Sequence, residues 1–262
     1  MPNCLINFTW EKFDRPELAE LREKFRLVNI IGEKKDEFSR MLALKDWVNK
    51  VLPHGNNPKR QYRNSIEIFE DAKKGEEFYC SHFSLVFLQC ATALGWYSRK
   101  LGIDYNHQQG QEEMHHGITD IWSNKFKKWF AVDPLHNLHF EKNGLPLNSY
   151  EVRAEFLKNK AKDVIGIIGD YEKKINYSSE ITGYDQPSNY FWFFILIRNN
   201  FFEDPDMYDG KSLLWTDEFN KDKIWYKGGG KKGESKPHPM YESQFIKTND
   251  FNLCFPAMGE IK

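Results

Sequence analysis

Three residues whose side chains can together perform thiol chemistry occur along the chain in the order Cys80, His116 and Asp133. A cysteine attacks a carbonyl carbon as the thiolate, a histidine takes and returns the proton, and a carboxylate holds the imidazole in one tautomer. These residues are far apart in the sequence, so the chemistry depends on the elements that position them.

The segment that begins at Cys80 predicts a buried helix. Apolar residues occupy nearly the whole circumference of a helix over residues 80–94, which is typical of the central helix of a fold. Cys80 lies at its N-terminal end, where unpaired N–H groups and the helix dipole lower the pKa of a thiol. Cys90 lies in the middle of the buried stripe and is interpreted as a core residue.

Two short segments, His116–Trp122 and Lys128–Val132, predict a β-hairpin. If His116 lies directly opposite Asp133, the turn is centred between Asn124 and Lys125, and asparagine tolerates the positive φ of a two-residue turn. Such a hairpin brings the imidazole and the carboxylate to the same side of one sheet. Alternation places four residues on that face of the first strand: His116, Ile118, Asp120 and Trp122.

The remaining pattern predicts an α+β fold in which the Cys80 helix packs against an antiparallel β-sheet. Residues 181–262 are expected to be irregular and β-rich, and residues 151–262 to form an extension on a core of residues 1–150. Apolar spacing and breakers predict helices at 17–29, 37–51, Ser65 to Gly75 and 150–165, and a strand at Trp96–Ile103.

Four motifs resemble the transglutaminase-like superfamily of papain-type folds: FYC at the helix start, ALGWYSR, HHGITDIW and KWFAVDPLHNLHF. The resemblance covers roughly residues 40–145. It implies Cys80 as nucleophile, His116 as base and Asp133 as the orienting acid. It also matches Asp120 to the acidic residue after the histidine, and three residues to the surrounding framework: Trp129, Pro134 and Asn137.

The resemblance implies acyl-thioester chemistry on the amide of a peptide, protein or glycopeptide. Hydrolysis is favoured over crosslinking because it needs no special amine site. We expect Tyr79, His115 and Trp122 to bind substrate. Three residues are equal candidates for the second oxyanion donor: Trp47, His54 and Gln61.

Two other functional classes compete with this interpretation. Aromatic residues make up 16% of the chain, so a non-catalytic carbohydrate- or peptide-binding module on the same fold is the alternative. A metal-dependent hydrolase is a weaker one. It is suggested by five histidines: His107, His115, His116, His136 and His139. No CxxC or HExxH frame accompanies them, so we expect no metal and no cofactor.

Charge and hydropathy exclude some partners. Lys and Arg number 37 against 38 Asp and Glu, so no basic excess is present to neutralise nucleic-acid phosphates. The longest apolar run, residues 190–197, is shorter than the roughly 20 residues that cross a bilayer. The N-terminal residues lack the features of a signal peptide, so we expect a cytoplasmic chain as written, or an exported one if a leader was removed. The oligomeric state stays open.

Overall fold

The computed structural model describes residues 6–32, 36–55, 62, 64–104, 115–169, 173–176, 187–203, 211–221 and 244–259. The helices in these ranges are α1 (Pro16–Lys24), α2 (Leu27–Ile31), α3 (Glu37–Val51), α4 (Ser65–Ala72), α5 (Cys80–Ala93), α6 (Ser149–Asn159) and α7 (Phe251–Cys254). A 3-10 helix spans Pro187–Phe191. None of the described helices has the length and apolar character needed to cross a membrane.

The strands in these ranges are β1 Thr9–Trp10, β2 Ser98–Asp104, β3 His115–Ser123, β4 Lys128–Asp133, β5 Leu138–Lys142, β6 Leu145–Pro146, β7 Ile165–Ile168, β8 Lys173–Asn176, β9 Trp192–Leu196, β10 Arg198–Asn199, β11 Ser212–Trp215 and β12 Phe245–Thr248. Most of them form one large sheet, in the order β12-β11-β9-β2-β3-β4-β5-β7-β8, with β6 paired to β5. Its pairs are antiparallel except β11 with β12. A separate parallel pair joins β1 to β10.

The α+β architecture is the predicted one, with the helix that begins at Cys80 packed on the antiparallel sheet. Alternation along β3 divides its side chains between two apolar clusters. Ile121 joins the cluster that contains the apolar residues of α5. Ile118 and Trp122 join the other cluster, to which α6 and α7 contribute Val152 and Cys254. The sheet is therefore covered on both faces.

Polar side chains cap several helices at their first turn, which satisfies main-chain N–H groups that have no partner inside the helix. Asn148 caps α6 in a reciprocal capping box with Glu151. The other residues that cap in this way are Asp36 for α3, Asn64 for α4 and Asp250 for α7.

The structure corrects two predicted helices. The helix expected over residues 17–29 is divided, because Arg26 adopts a left-handed φ of 50° between α1 and α2. The helix expected over residues 150–165 ends at Asn159. Lys160 and Ala161 have positive φ there, and the chain then enters β7. Neither helix ends at a glycine, the residue that usually marks a left-handed helix end in a sequence. The apolar spacing therefore did not reveal where these helices stop.

The register of the β3–β4 hairpin also differs from the prediction. Ser123 pairs with Lys128 and Thr119 with Val132, so the turn is two residues longer than expected and Lys127, not Asn124, has the positive φ. His116 is therefore not directly opposite Asp133. Because the shift is an even number of residues, both side chains stay on the same side of the sheet.

Candidate active site

Cys80 is the first residue of α5 and is half-buried. Tyr79 precedes it as the N-cap residue without a side-chain cap. The Gly117 main-chain N–H on β3 donates to the Cys80 Sγ at 3.4 Å. A Cβ on Gly117 would lie 3.5 Å from the Ser81 Cα and 3.7 Å from this sulfur, so helix and strand approach each other closely here. The thiol thus lies at a helix N-terminus, against the first residues of β3.

His116 connects the thiol to a carboxylate. Its Nε2 lies 2.5 Å from the Asp133 Oδ2, and the ring lies close enough to the Cys80 thiol to lower the pKa of that thiol. Since Nε2 is occupied by Asp133, Nδ1 is the ring nitrogen that remains for the sulfur. The imidazole is 1% exposed, which holds the ring in this orientation.

Asp133 accepts hydrogen bonds at both carboxylate oxygens. Its Oδ1 accepts from the main-chain N–H groups of Leu135 at 2.8 Å and His136 at 3.1 Å. Its Oδ2 receives His116 and the His136 Nδ1, the latter at 2.9 Å. Burial works to raise the pKa of this carboxyl, but the two imidazoles hold the pKa well below its ordinary value. An ionised carboxylate only accepts, so both facing ring nitrogens carry hydrogen.

The thiol of Cys80 differs electrostatically from the other described cysteines. Burial works to raise its pKa, but the hydrogen bond with His116, the positive charge of that ring and the Gly117 N–H together lower the pKa to about 7. Burial raises the pKa of Cys254 to about 12, and it raises the pKa of Cys90 further. Of these three thiols, Cys80 is the one with substantial thiolate at neutral pH.

The turn that follows Asp133 is held by the polar face of α3. The Asn49 Nδ2 donates to the Leu135 carbonyl at 2.6 Å, and the buried Lys45 Nζ donates to the Asn137 carbonyl at 2.8 Å. The Asn137 Nδ2 in turn donates to the Asp46 Oδ1 at 2.8 Å. Asn137 itself has a φ of 55°. These bonds hold the turn that carries both Asp133 and His136.

His136 is the residue at this site that motif reasoning did not include. Its ring centre lies 5.2 Å from that of His116, and its side chain is 36% exposed. One sequence signal points to it. An Asp-Pro pair at a strand end begins a turn, and a side chain three residues after the aspartate can fold back onto the carboxylate.

A known protein family is similar to the part of the chain that contains this site. The profile of the transglutaminase-like superfamily matches residues 26–134, which include Cys80, His116 and Asp133. This segment therefore resembles the transglutaminase-like superfamily. No curated protein sequence matches the chain. A crystal structure of a candidate cysteine protease from Cytophaga hutchinsonii is similar at 14% identity, with a TM-score of 0.36, over 45% of this chain and 37% of that protein. The chain thus spans little more than a third of that protein's length.

The three predicted substrate-binding residues lie in different surroundings. Tyr79 adjoins Cys80, and its ring centre is 4.1 Å from that of His82. His115 is 32% exposed; its Nδ1 lies 2.8 Å from the Asp104 Oδ1. The structure does not bring Trp122 to this site. That residue is 4% exposed in the core, six positions along β3 from His116.

Two of the three candidate oxyanion donors are described. Trp47 on α3 packs beside Phe69, with ring centres 5.5 Å apart. His54 forms an isolated bridge with Phe78, two residues before Cys80. Gln61 lies outside the described residues.

One group of side chains in the described ranges brings three potential metal-ligand atoms close together. It comprises His116, Asp133 and His136, whose ligand atoms lie within 4.8 Å of one another. His139 is not part of it. That imidazole is buried on β5, with Nδ1 3.4 Å from the Lys45 Nζ and Nε2 3.1 Å from the Glu141 Oε1. His107 lies outside the described residues.

Proposed function

We propose that the protein is a cysteine hydrolase that cleaves amides in peptides, proteins or glycopeptides through an acyl-thioester intermediate. The observation that carries the proposal is the buried His116 ring, which is bound to Asp133 and lowers the pKa of the Cys80 thiol. A thiol that only packs in a core has no use for a lowered pKa, a hydrogen-bonded imidazole and an ionised carboxylate behind it.

In the proposed acylation step the Cys80 sulfur attacks the carbonyl carbon of the substrate. The C–N bond breaks, and the leaving amine takes the proton that His116 accepted from the thiol. In this proposal the main-chain N–H of Cys80, at the start of α5, stabilises the oxyanion. Asp133 holds the imidazole so that Nδ1 faces the sulfur throughout.

In deacylation a water gives its proton to His116 and attacks the thioester. The C–S bond breaks, the thiol regains the proton, and a carboxylic acid leaves. We favour water over an amine as the acceptor because hydrolysis requires no separate amine site. Tyr79 and His115 remain our proposed substrate contacts, since each is the chain neighbour of one of the reacting residues.

Cys80→Ala tests the proposal, with Cys90→Ala as the matched control on the same helix. Incubation with a peptide library, analysed by mass spectrometry, is expected to give amide cleavage for the parent chain and Cys90→Ala and none for Cys80→Ala. An acyl adduct on Cys80 is expected after acid quenching. Turnover that persists in Cys80→Ala contradicts the proposal. Peptide or glycan binding that survives Cys80→Ala, with no turnover by the parent chain, favours the binding-module alternative.

A further inference from the structure

Two imidazole nitrogens converge on one carboxylate oxygen behind the proposed nucleophile, and all three atoms are of types that bind transition metals. The His116 Nε2 lies 2.5 Å and the His136 Nδ1 2.9 Å from the Asp133 Oδ2. We propose that His116, Asp133 and His136 bind a Zn²⁺ ion, and that the bound ion inhibits the enzyme by taking His116 out of proton transfer.

The donor set matches the preference of zinc. Two imidazole nitrogens and one carboxylate oxygen, with a fourth position left to water, are ligands that Zn²⁺ holds at about 2.0–2.2 Å in a tetrahedron. Ligand atoms of such a tetrahedron are about 3.3 Å apart, so His116 and His136 need to retreat from Asp133 by less than about 1 Å. The ion then replaces the two N–H hydrogens that now point at the carboxylate.

The surroundings provide access and orientation. His116 and Asp133 are each 1% exposed, whereas His136 is 36% exposed, so an ion reaches the cluster from the His136 side. The Leu135 and His136 N–H groups fix the carboxylate through Oδ1 and leave Oδ2 to the metal. The α3 side chains that hold the turn keep His136 beside Asp133.

The inhibitory effect follows from the tautomer of His116. Coordination of the ion through Nε2 moves the ring hydrogen of neutral His116 to Nδ1, the nitrogen that faces Cys80. His136 coordinates through Nδ1, so its ring hydrogen moves to Nε2. A ring with N–H at Nδ1 has no lone pair to accept the thiol proton. This consequence rests on the proposed function; the binding of zinc does not.

The test measures zinc binding in the Cys80→Ala protein, which cannot turn over substrate. Competition with a chromophoric chelator is expected to show one site of micromolar affinity at pH 7.5. His136→Asn in the same background is expected to weaken binding about tenfold or more, and His54→Asn, a histidine outside the cluster, to leave it unchanged. Circular dichroism checks the fold of each variant, and His136→Gln replaces His136→Asn if the latter is unfolded.

Cobalt spectroscopy of the parent chain decides between this site and a thiolate–imidazole site on Cys80 and His116. Co²⁺ in the proposed cluster is expected to show d–d bands without a thiolate-to-metal charge-transfer band. A charge-transfer band, loss of zinc binding on Cys80→Ala, or equal affinity after His136→Asn overturns the proposal. The binding assay requires no catalysis, so a protein that does not hydrolyse amides can still bind zinc. A failure of the proposed zinc site is therefore distinguishable from a failure of the proposed hydrolase function.

Discussion

At the scale of single residues, Cys80 is distinguished by the groups around its sulfur. The His116 ring and the Gly117 N–H outweigh the effect of burial and bring the pKa of the thiol to about 7. The same burial is unopposed at Cys90, whose pKa is raised. The two thiols on this helix therefore differ because β3 supplies these groups to Cys80 and not to Cys90.

The pH dependence of alkylation tests this difference. The rate of iodoacetamide labelling at Cys80 is expected to be half-maximal near pH 7 and to fall about tenfold for each unit of pH below the midpoint, because only the thiolate reacts. Cys254, with a pKa of about 12, is expected to stay unlabelled over the same range. Peptide mapping measures both rates, and equal labelling of Cys80 and Cys254 in the folded protein contradicts the assignment.

Asp133→Asn tests whether the carboxylate acts through His116. Loss of its charge is expected to raise the labelling midpoint of Cys80 by about one pH unit or more, which lowers labelling at pH 6.5 about tenfold. Asp163→Asn, at an exposed position near Lys142, serves as the control. An unchanged midpoint in Asp133→Asn means that the carboxylate does not support the imidazolium.

At the scale of elements, the site depends on how closely α5 approaches β3. Gly117 lies where a Cβ makes ordinary van der Waals contact with Ser81 and the Cys80 sulfur. Thr119, two residues further along the same side of β3, directs its Oγ1 to the Ser84 carbonyl at 3.4 Å. The helix is thus placed against the strand over at least a full turn.

Substitution of Gly117 measures the tolerance of this contact. Gly117→Ala is expected to keep Cys80 labelling within about threefold, because a methyl group fits. Gly117→Val adds two further carbons and is expected to reduce the free energy of unfolding by about 1–3 kcal/mol and labelling by about tenfold. Urea denaturation and peptide mapping provide the two readouts. A valine variant that matches the alanine variant in both shows that helix and strand can separate freely here.

At the scale of the whole molecule, Arg99 joins the C-terminal segment to the sheet. Its Nη2 donates to the Asp120 Oδ2 at 2.9 Å, and its Nη1 to the Cys254 carbonyl at 2.6 Å. The guanidinium lies 4.3 Å from the Trp129 ring centre, and the Trp129 indole N–H donates to the Pro256 carbonyl at 2.8 Å. Residues of the expected extension therefore also contact the core. The boundary near residue 150 stays a prediction.

A double-substitution cycle tests how far this buried pair holds the molecule together. Arg99→Met is expected to lower the free energy of unfolding by about 3–5 kcal/mol, because Asp120 is then buried without its counter-charge. Arg99→Met combined with Asp120→Leu is expected to regain part of this loss, since no isolated charge remains. Chemical denaturation of the two single variants and the double variant gives the coupling energy. Strictly additive losses contradict a direct interaction between the two side chains.

The sequence by itself determined the elements that carry the chemistry. The apolar circumference of α5 placed Cys80 at a helix start, and alternation placed His116 and Asp133 on one side of a hairpin, a result that survived an even shift in register. What only the tertiary structure decided are contacts between elements remote in sequence: the Gly117 N–H on the sulfur, the α3 side chains that hold the turn after Asp133, and His136 as a second imidazole on the carboxylate. Periodicity reports which face of an element is buried, but it contains no information about which polar atoms meet once the faces pack.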